Sequence, residues 1–325
     1  MQRRLLGIGA QRALTPAQPS VATILVTTPT GNIGRRVVER LLGGDHAVRV
    51  YVRDPARLDP DVRARADVRT GTVEDAAALT DAVRGADVAF FLVPPNMTAD
   101  DWRGWIRGVG RNYADASSAA GLRRAVFLSS LGAHRSDLGP VSGVGEVEQI
   151  LRAAVPDLAV LRPGYFFENA FGALGGVAEA GAVFGAFDPD LAFPQVATRD
   201  IGDVAARWLA DPSWRGQSVV GIHGPRDLTM AEQARLIGEA VGRPVRYQQV
   251  PLDAVAAAMA GFGMSPSVVA EYRAMIGGYQ ASRFERPEAR TAETTTPTEF
   301  AAWAREALAP AYAGAAAGAA QGAAA

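Results

Sequence analysis

Three positions near the N-terminus, Thr28, Gly31 and Gly34, have the spacing of a phosphate-binding turn. They sit within ATILVTTPTGNIGRRVVERL, residues 22–41. The turn residues Thr28, Pro29, Thr30, Gly31, Asn32, Ile33 and Gly34 would put backbone amides and a helix N-terminus against a pyrophosphate. Gly31 would let a phosphate approach the backbone, and Gly34 would let the helix pack on the preceding strand. Where the common pattern has a first glycine, this chain has Thr28. Pro29 disfavours the helical region for its predecessor, so Thr28 is expected to stay extended with negative φ.

A second chemical signal lies on the next strand. AVRVYV ends at Arg53, nineteen residues after Gly34, with Arg57 one turn on. An acid in this region serves the ribose diol of NAD, whereas arginine suits a 2′-phosphate. Arg53 and Arg57 therefore favour NADP(H) over NAD(H), with Asp54 the opposing signal. Arg35 and Arg36 follow the last glycine; Arg35 joins the candidate cofactor contacts, and Arg36 reads as a solvated charge.

Candidates for proton or dipole chemistry follow later. AVFLSSLGAH ends a strand in Ser129 and Ser130 and leads to His134. LRPGYFFEN places Tyr165 after a Pro-Gly turn. Ser129, Ser130, His134 and Tyr165 are the catalytic candidates, each with an ordinary reading as cap, loop residue or pocket wall. Phe166, Phe167, Phe171, Phe184, Phe187 and Phe193 crowd one Gly-rich segment, and Asn169 lies among them. That composition suits either an aromatic-lined pocket, with Phe166, Phe167, Asn169 and Phe171 on its wall, or a satellite core beneath loops.

Composition excludes several classes. The 325 residues carry a formal charge of −1, which disfavours a nucleic-acid or anionic-membrane binder. There is no cysteine and, read through, no lysine. Thiolate nucleophiles, disulfides, a Schiff-base lysine and a Tyr-x-x-x-Lys pair are therefore impossible. The three histidines share no metal-ligand spacing, so no metal site is expected. No apolar run approaches the ~20 residues of a membrane span. The chain reads as cytoplasmic, a monomer or homodimer acting on a small hydrophobic molecule.

Positioning these residues requires an α/β fold. Apolar β-branched runs predict strands at 22–28, 47–53, 66–70, 87–93, 124–129 and 157–162. Helical spacing predicts helices at 32–43, 75–84, 101–121 and 144–154. The alternation implies a Rossmann-type, doubly wound parallel sheet. Beyond residue 163 the rhythm loosens into helices at 200–210, 252–261 and 266–276 and strands at 218–222 and 245–250. Thr229-x-x-Glu232 predicts a capping box opening a helix to 240, and Thr296-Pro297-Thr298-Glu299 predicts another opening a helix to about 308. The expected organisation is a flexible leader over 1–20 and a dinucleotide-binding domain over 21–162 plus parts of 195–225. A smaller α+β substrate part covers 163–310, and 311–325 is a disordered Ala/Gly tail.

The stretches ILVTTPTGNIGRRVV, VRDPARL, GADVAFFLVPP, RAVFLSSLGA, VEQILRAAVPDLAVLRPGYFFEN, RDIGDVAARWLAD and GPRDLTMAEQARLIGEAVGRPV occur in this order. Through them the chain resembles the NmrA-like, atypical short-chain dehydrogenase/reductase group. The resemblance implies a Rossmann domain that binds NADP(H) and a small C-terminal substrate part. It extends the cofactor contacts to Val93, Pro94, Ser129, Pro163, Gly164 and Tyr165. One departure stands out: Glu148 is kept, but Val144 occupies a position where relatives often carry histidine, with Gly143 beside it. The expectation is an NADPH-dependent reductase of a small hydrophobic carbonyl, enone or quinone-like compound. A non-catalytic NADP(H) sensor and a cofactor-dependent isomerase or dehydratase are the alternatives.

Overall fold

The computed structural model describes residues 21–285 and 287–314, so the expected leader over 1–20 lies outside the described residues. The strands are β1 (Thr23–Thr27), β2 (Ala47–Val52), β3 (Asp67–Thr70), β4 (Val88–Leu92), β5 (Arg124–Leu128), β6 (Asp157–Pro163), β7 (Tyr165–Phe166), β8 (Ala182–Gly185), β9 (Phe193–Val196), β10 (Gln217–Ile222), β11 (Asp227–Leu228) and β12 (Arg246–Gln249). The helices are α1 (Asn32–Leu42), α2 (Pro60–Arg65), α3 (Ala76–Val83), α4 (Trp102–Ala120), α5 (Pro140–Ala154), α6 (Leu174–Ala180), α7 (Thr198–Ala210), α8 (Met230–Val241), α9 (Leu252–Gly261), α10 (Pro266–Ser282) and α11 (Phe300–Trp303).

Seven parallel strands form the main sheet in the order β10-β6-β5-β4-β1-β2-β3. Strand order reverses between β1 and β4, the crevice where open α/β sheets bind ligands. Pleat alternation divides the core. Ile24, Val26, Val50, Phe90, Val126 and Leu161 face one way, onto Val37, Val38 and Leu41 of α1 and Ile201 and Ala205 of α7. Leu25, Ala89, Phe91, Phe127 and Val160 face the other, onto Leu79 of α3, Ile106 and Tyr113 of α4, and Val147 and Leu151 of α5. Strands covered on both faces must be apolar on both, which is why these runs read as continuous.

The later half returns α7 and β10 to this sheet layer. Its remaining strands form a three-stranded β11-β9-β7 sheet and a β12-β8 pair. The Thr229 capping box forms in full: Thr229 Oγ1 accepts from Glu232 N at 3.0 Å and Glu232 Oε2 accepts from Thr229 N at 3.0 Å. The second expected box does not. Glu299 occupies the N-cap without a side-chain bond, and α11 starts at Phe300. Thr296 Oγ1 instead donates to His223 O at 3.0 Å, and Thr298 Oγ1 donates to Asp200 Oδ1 at 2.7 Å. Both threonines tie the chain to distant segments, and a tertiary partner outcompetes the local cap. The terminal helix passes through a π turn at Ala304–Leu308 and continues over 309–314. Residues 311–314 of the expected tail are thus helical, and its remainder lies outside the described residues.

The aromatic segment condenses into two cores. Phe193 stacks on Phe284 at 4.1 Å, which stacks on Tyr279 at 4.2 Å, with Phe187 alongside. Phe167 packs edge-on against Phe300 at 5.0 Å, and Phe171 against Trp303 at 5.5 Å. The satellite-core reading therefore describes most of these rings.

Candidate functional site

A cleft of about 1070 Å³ opens at the carboxyl ends of β1 to β5, across the switch point. Its floor is the turn from Thr28 to Gly34. Gly31 is the N-cap of α1, and neither a capping side chain nor an acid in the first turn competes for the free amides there. The two glycines differ in kind. A Cβ on Gly34 would lie 2.2 Å from Thr28 O, so glycine is required by the packing of helix on turn. A Cβ on Gly31 would meet only Thr28 O, at 3.8 Å. The protein itself leaves room there, so the missing Cβ at Gly31 opens space toward the cleft.

Thr28 departs from expectation. Its φ is +55°, a left-handed conformation rather than the extended one that Pro29 favours. That region favours glycine, and Thr28 is strained into it. Its Oγ1 is also buried without a partner.

At one end of the cleft lie Arg53, Arg57, Thr72, Glu74 and Trp105. Arg53 and Arg57 are exposed, and among the described residues the side chain of neither makes a hydrogen bond or ion pair, although the Arg53 charge is felt by Glu74. Asp54 is occupied, its Oδ1 accepting from Ala56 N at 3.0 Å. Trp105 Nε1 donates to Glu74 Oε1 at 3.0 Å. Burial raises the Glu74 carboxyl, but hydrogen bonds from the Trp105 indole, its own backbone N–H and the Thr72 hydroxyl outweigh it, with a smaller contribution from the Arg53 charge, and hold the group below its usual range. Gly71 is obligatory, because a Cβ would lie 2.2 Å from Tyr51 Oη. Arg35 is not on the wall; it faces Asp59 at 3.8 Å. Arg36 is drawn away to Asp203 of α7, at 2.6 Å.

The middle wall is Val93 and Pro94 after β4 and Ser129 and Ser130 after β5. Thr27 braces this rim, its Oγ1 donating to Phe90 O at 2.9 Å. Beneath Ser129 runs a buried chain of polar groups. Ser129 Oγ donates to Glu148 Oε1. Arg162 grips Glu148 with two bonds of 2.9 and 2.6 Å and reaches Glu288 Oε1 at 2.6 Å. Glu148 is completely buried. Burial opposes the Arg162 charge, but its two carboxylate partners outweigh that and raise its pKa. With its one proton committed to a carboxylate, Ser129 presents lone pairs to the cleft and suits an N–H or O–H of a ligand.

The far end is an alcove of Pro140, Val141, Val144, Phe166, Asn169 and Tyr272. Val144 is a wall residue, so an apolar side chain stands where the resemblance implied histidine. Gly143 cannot carry a side chain, since a Cβ would lie 2.6 Å from the Trp102 ring.

Several candidate residues lie elsewhere. Pro163, Gly164 and Tyr165 are behind the wall. A Gly164 Cβ would lie 2.5 Å from Pro194 O, and Tyr165 packs edge-on against Phe193 at 5.5 Å. Burial pushes the Tyr165 phenol up to about 12, partly offset by the Asn169 amide. His134 is exposed on the turn after β5, off the cleft. Phe167 and Phe171 face the terminal helix, leaving Phe166 and Asn169 on the wall. Trp102, Trp105, Glu168 and Tyr272 are wall residues that the sequence reading missed. No motif marks them, although the helical register of α4 offered a signal for the two tryptophans.

The profile of the NmrA-like family matches residues 20–301. The chain belongs to the NmrA-like family. This NmrA-like protein is 32% identical over 239 residues to the (4-alkanoyl-5-oxo-2,5-dihydrofuran-3-yl)methyl phosphate reductase of Streptomyces griseus, covering 73% of the chain and 80% of that protein. It is 27% identical over 243 residues to quinone oxidoreductase 2 of Escherichia coli, covering 74% of the chain and 82% of that protein. The crystal structure of an NADPH-dependent quinone oxidoreductase from Escherichia coli, complexed with NADPH, superposes with a TM-score of 0.70 at 24% identity, covering 88% of this chain and 99% of that one. The likeness to that structure is one of fold.

Proposed function

We propose that this NmrA-like protein is an NADPH-dependent reductase of a small hydrophobic carbonyl, enone or quinone-like compound. The observation that carries the reading is a single cleft with a glycine turn on its floor, two unengaged arginines at one end and an apolar alcove at the other. The residues fit the dinucleotide. Gly31 leaves space at the amides of α1 for a pyrophosphate, Arg53 and Arg57 supply donors for a 2′-phosphate, and Ser129 supplies an acceptor. The bound nucleotide supplies the hydride. The chain's part is to orient it, to exclude water with Val141, Val144 and Phe166, and to place a donor beside the acceptor's oxygen. The names of the Streptomyces griseus and Escherichia coli relatives support reduction as the reaction class.

The alcove also weighs against a purely sensory role. Had the Phe187 and Phe193 rings filled it, a bound nucleotide would have no neighbour to reduce; they pack elsewhere. Purified protein should oxidise NADPH in the presence of one or more members of a panel of quinones, enones and ketones. NADPH binding without turnover across the whole panel would transfer the argument to the sensor.

A further inference from the structure

The proton-bearing groups of the alcove are few, and most are engaged. The Ser129 proton goes to Glu148. Ser130 Oγ makes a long contact of 3.5 Å with Leu131 O and lies beside the Tyr279 phenol, which donates to Leu131 O. One N–H of the Asn169 amide is turned to the Tyr165 phenol, so that amide is shared with the wall behind the alcove. Val144 offers nothing. One hydroxyl remains, on α10, an element supplied by the later half of the chain.

We propose that Tyr272 is the hydrogen-bond donor to the oxygen of the compound bound in the alcove. Its ring lines the cleft, packed at the margin of the core that contains Trp102 and Ile106. No protein acceptor engages its hydroxyl among the described residues, and that oxygen is absent from the buried orphaned polar atoms, so it remains open to a ligand. A half-buried phenol with a fixed ring and an open hydroxyl can meet a carbonyl oxygen at little ordering cost. Burial also raises its pKa, which keeps the proton in place at neutral pH. α10 is seated at its start, with Ser265 Oγ donating to Ala99 O at 2.6 Å and Ser267 Oγ accepting from Trp102 N at 3.0 Å. The donor is therefore held against α4 rather than carried on a loose lid. In a chain without lysine, this placement gives the site a phenol from outside the strand-end positions where the sequence reading sought one.

The proposal rests on the reductase reading, and its test separates the two. Binding of naphthoquinone and of naphthalene, the oxygen-free ring, is measured by quenching of tryptophan fluorescence in protein loaded with NADP⁺, Trp102 and Trp105 being tryptophans of the cleft wall. Tyr272→Phe should weaken naphthoquinone binding about three- to tenfold, the range of one neutral hydrogen bond. Naphthalene binding and NADPH binding should be unchanged. Equal naphthoquinone affinity in the two proteins, or an equal loss for naphthalene, would overturn the assignment of Tyr272. Failure of the unaltered protein to bind NADPH at all would instead overturn the reductase reading.

Discussion

Replacing Thr28 by glycine should make the protein more stable, although the substitution removes a side chain from the floor of its cleft. Thr28 holds φ at +55°. A left-handed conformation costs a residue with a Cβ about 1–2 kcal/mol, and β-branching adds crowding. The buried Oγ1 has no partner, a defect worth about 1–3 kcal/mol. Against this, glycine loses more backbone freedom on folding, about 0.5–1 kcal/mol. The balance favours Thr28→Gly by about 1–4 kcal/mol, which for a chain of this size is a rise of about 2–6 °C in Tm. Thr28→Ala removes the orphan hydroxyl and the branch but keeps the Cβ, so it should fall between the two. Thermal melts and urea midpoints of the three proteins measure the series. A glycine variant no more stable than threonine, or an alanine variant at least as stable as glycine, would refute the claim that this turn stores strain.

The two motif glycines should fail differently. Gly34→Ala drives a Cβ into Thr28 O and should lower Tm, whereas Gly31→Ala should leave Tm unchanged and weaken NADPH binding, as calorimetric titration would show. Glu148→Ala strands the buried Arg162 guanidinium beside Glu288 alone and should cost about 3–5 kcal/mol, read from the urea midpoint. Asp203 gives a pH signature: burial raises its carboxyl, but hydrogen bonds from Arg40 and Arg36 outweigh that and hold it at about 2, below its ordinary 3.8. A carboxyl depressed on folding contributes stability that is full above its unfolded value and is lost as pH falls through its folded one. Asp203→Asn should therefore be less stable than the unaltered protein at neutral pH, and the gap should close as pH falls from 4 toward 2.

The strand, turn and helix of residues 22–42 were legible because a switch from a buried apolar run to helical spacing is local information. The arginine at the end of β2 was legible for the same reason, since its distance from the turn is fixed by one βαβ unit. What stayed hidden depended on long-range partners. Thr28 adopts positive φ because Gly34 brings α1 against its carbonyl, and the tertiary fit overrides the preference set by Pro29. Thr296 and Thr298 read as a cap but are claimed by His223 and Asp200. Ser129 read as either a ligand-facing hydroxyl or a cap, and its proton goes instead to the buried Glu148 held by Arg162. The aromatic segment was legible as apolar but not as two separate cores, because Phe284, Phe300 and Trp303 enter from more than ninety residues away.

The proposed function depends most on the end of the cleft where the Arg53 and Arg57 side chains stand without a hydrogen bond or ion pair. Titration of NADPH and NADH into the unaltered protein and Arg53→Ala tests it directly. NADPH should bind the unaltered protein at least tenfold more tightly than NADH, about 1.4 kcal/mol, as one charge-assisted contact supplies. Arg53→Ala should erase most of that difference by weakening NADPH alone. Equal affinity for the two nucleotides in the unaltered protein, or an Arg53→Ala variant that keeps its preference for NADPH, would contradict the assignment of that end of the cleft to a 2′-phosphate.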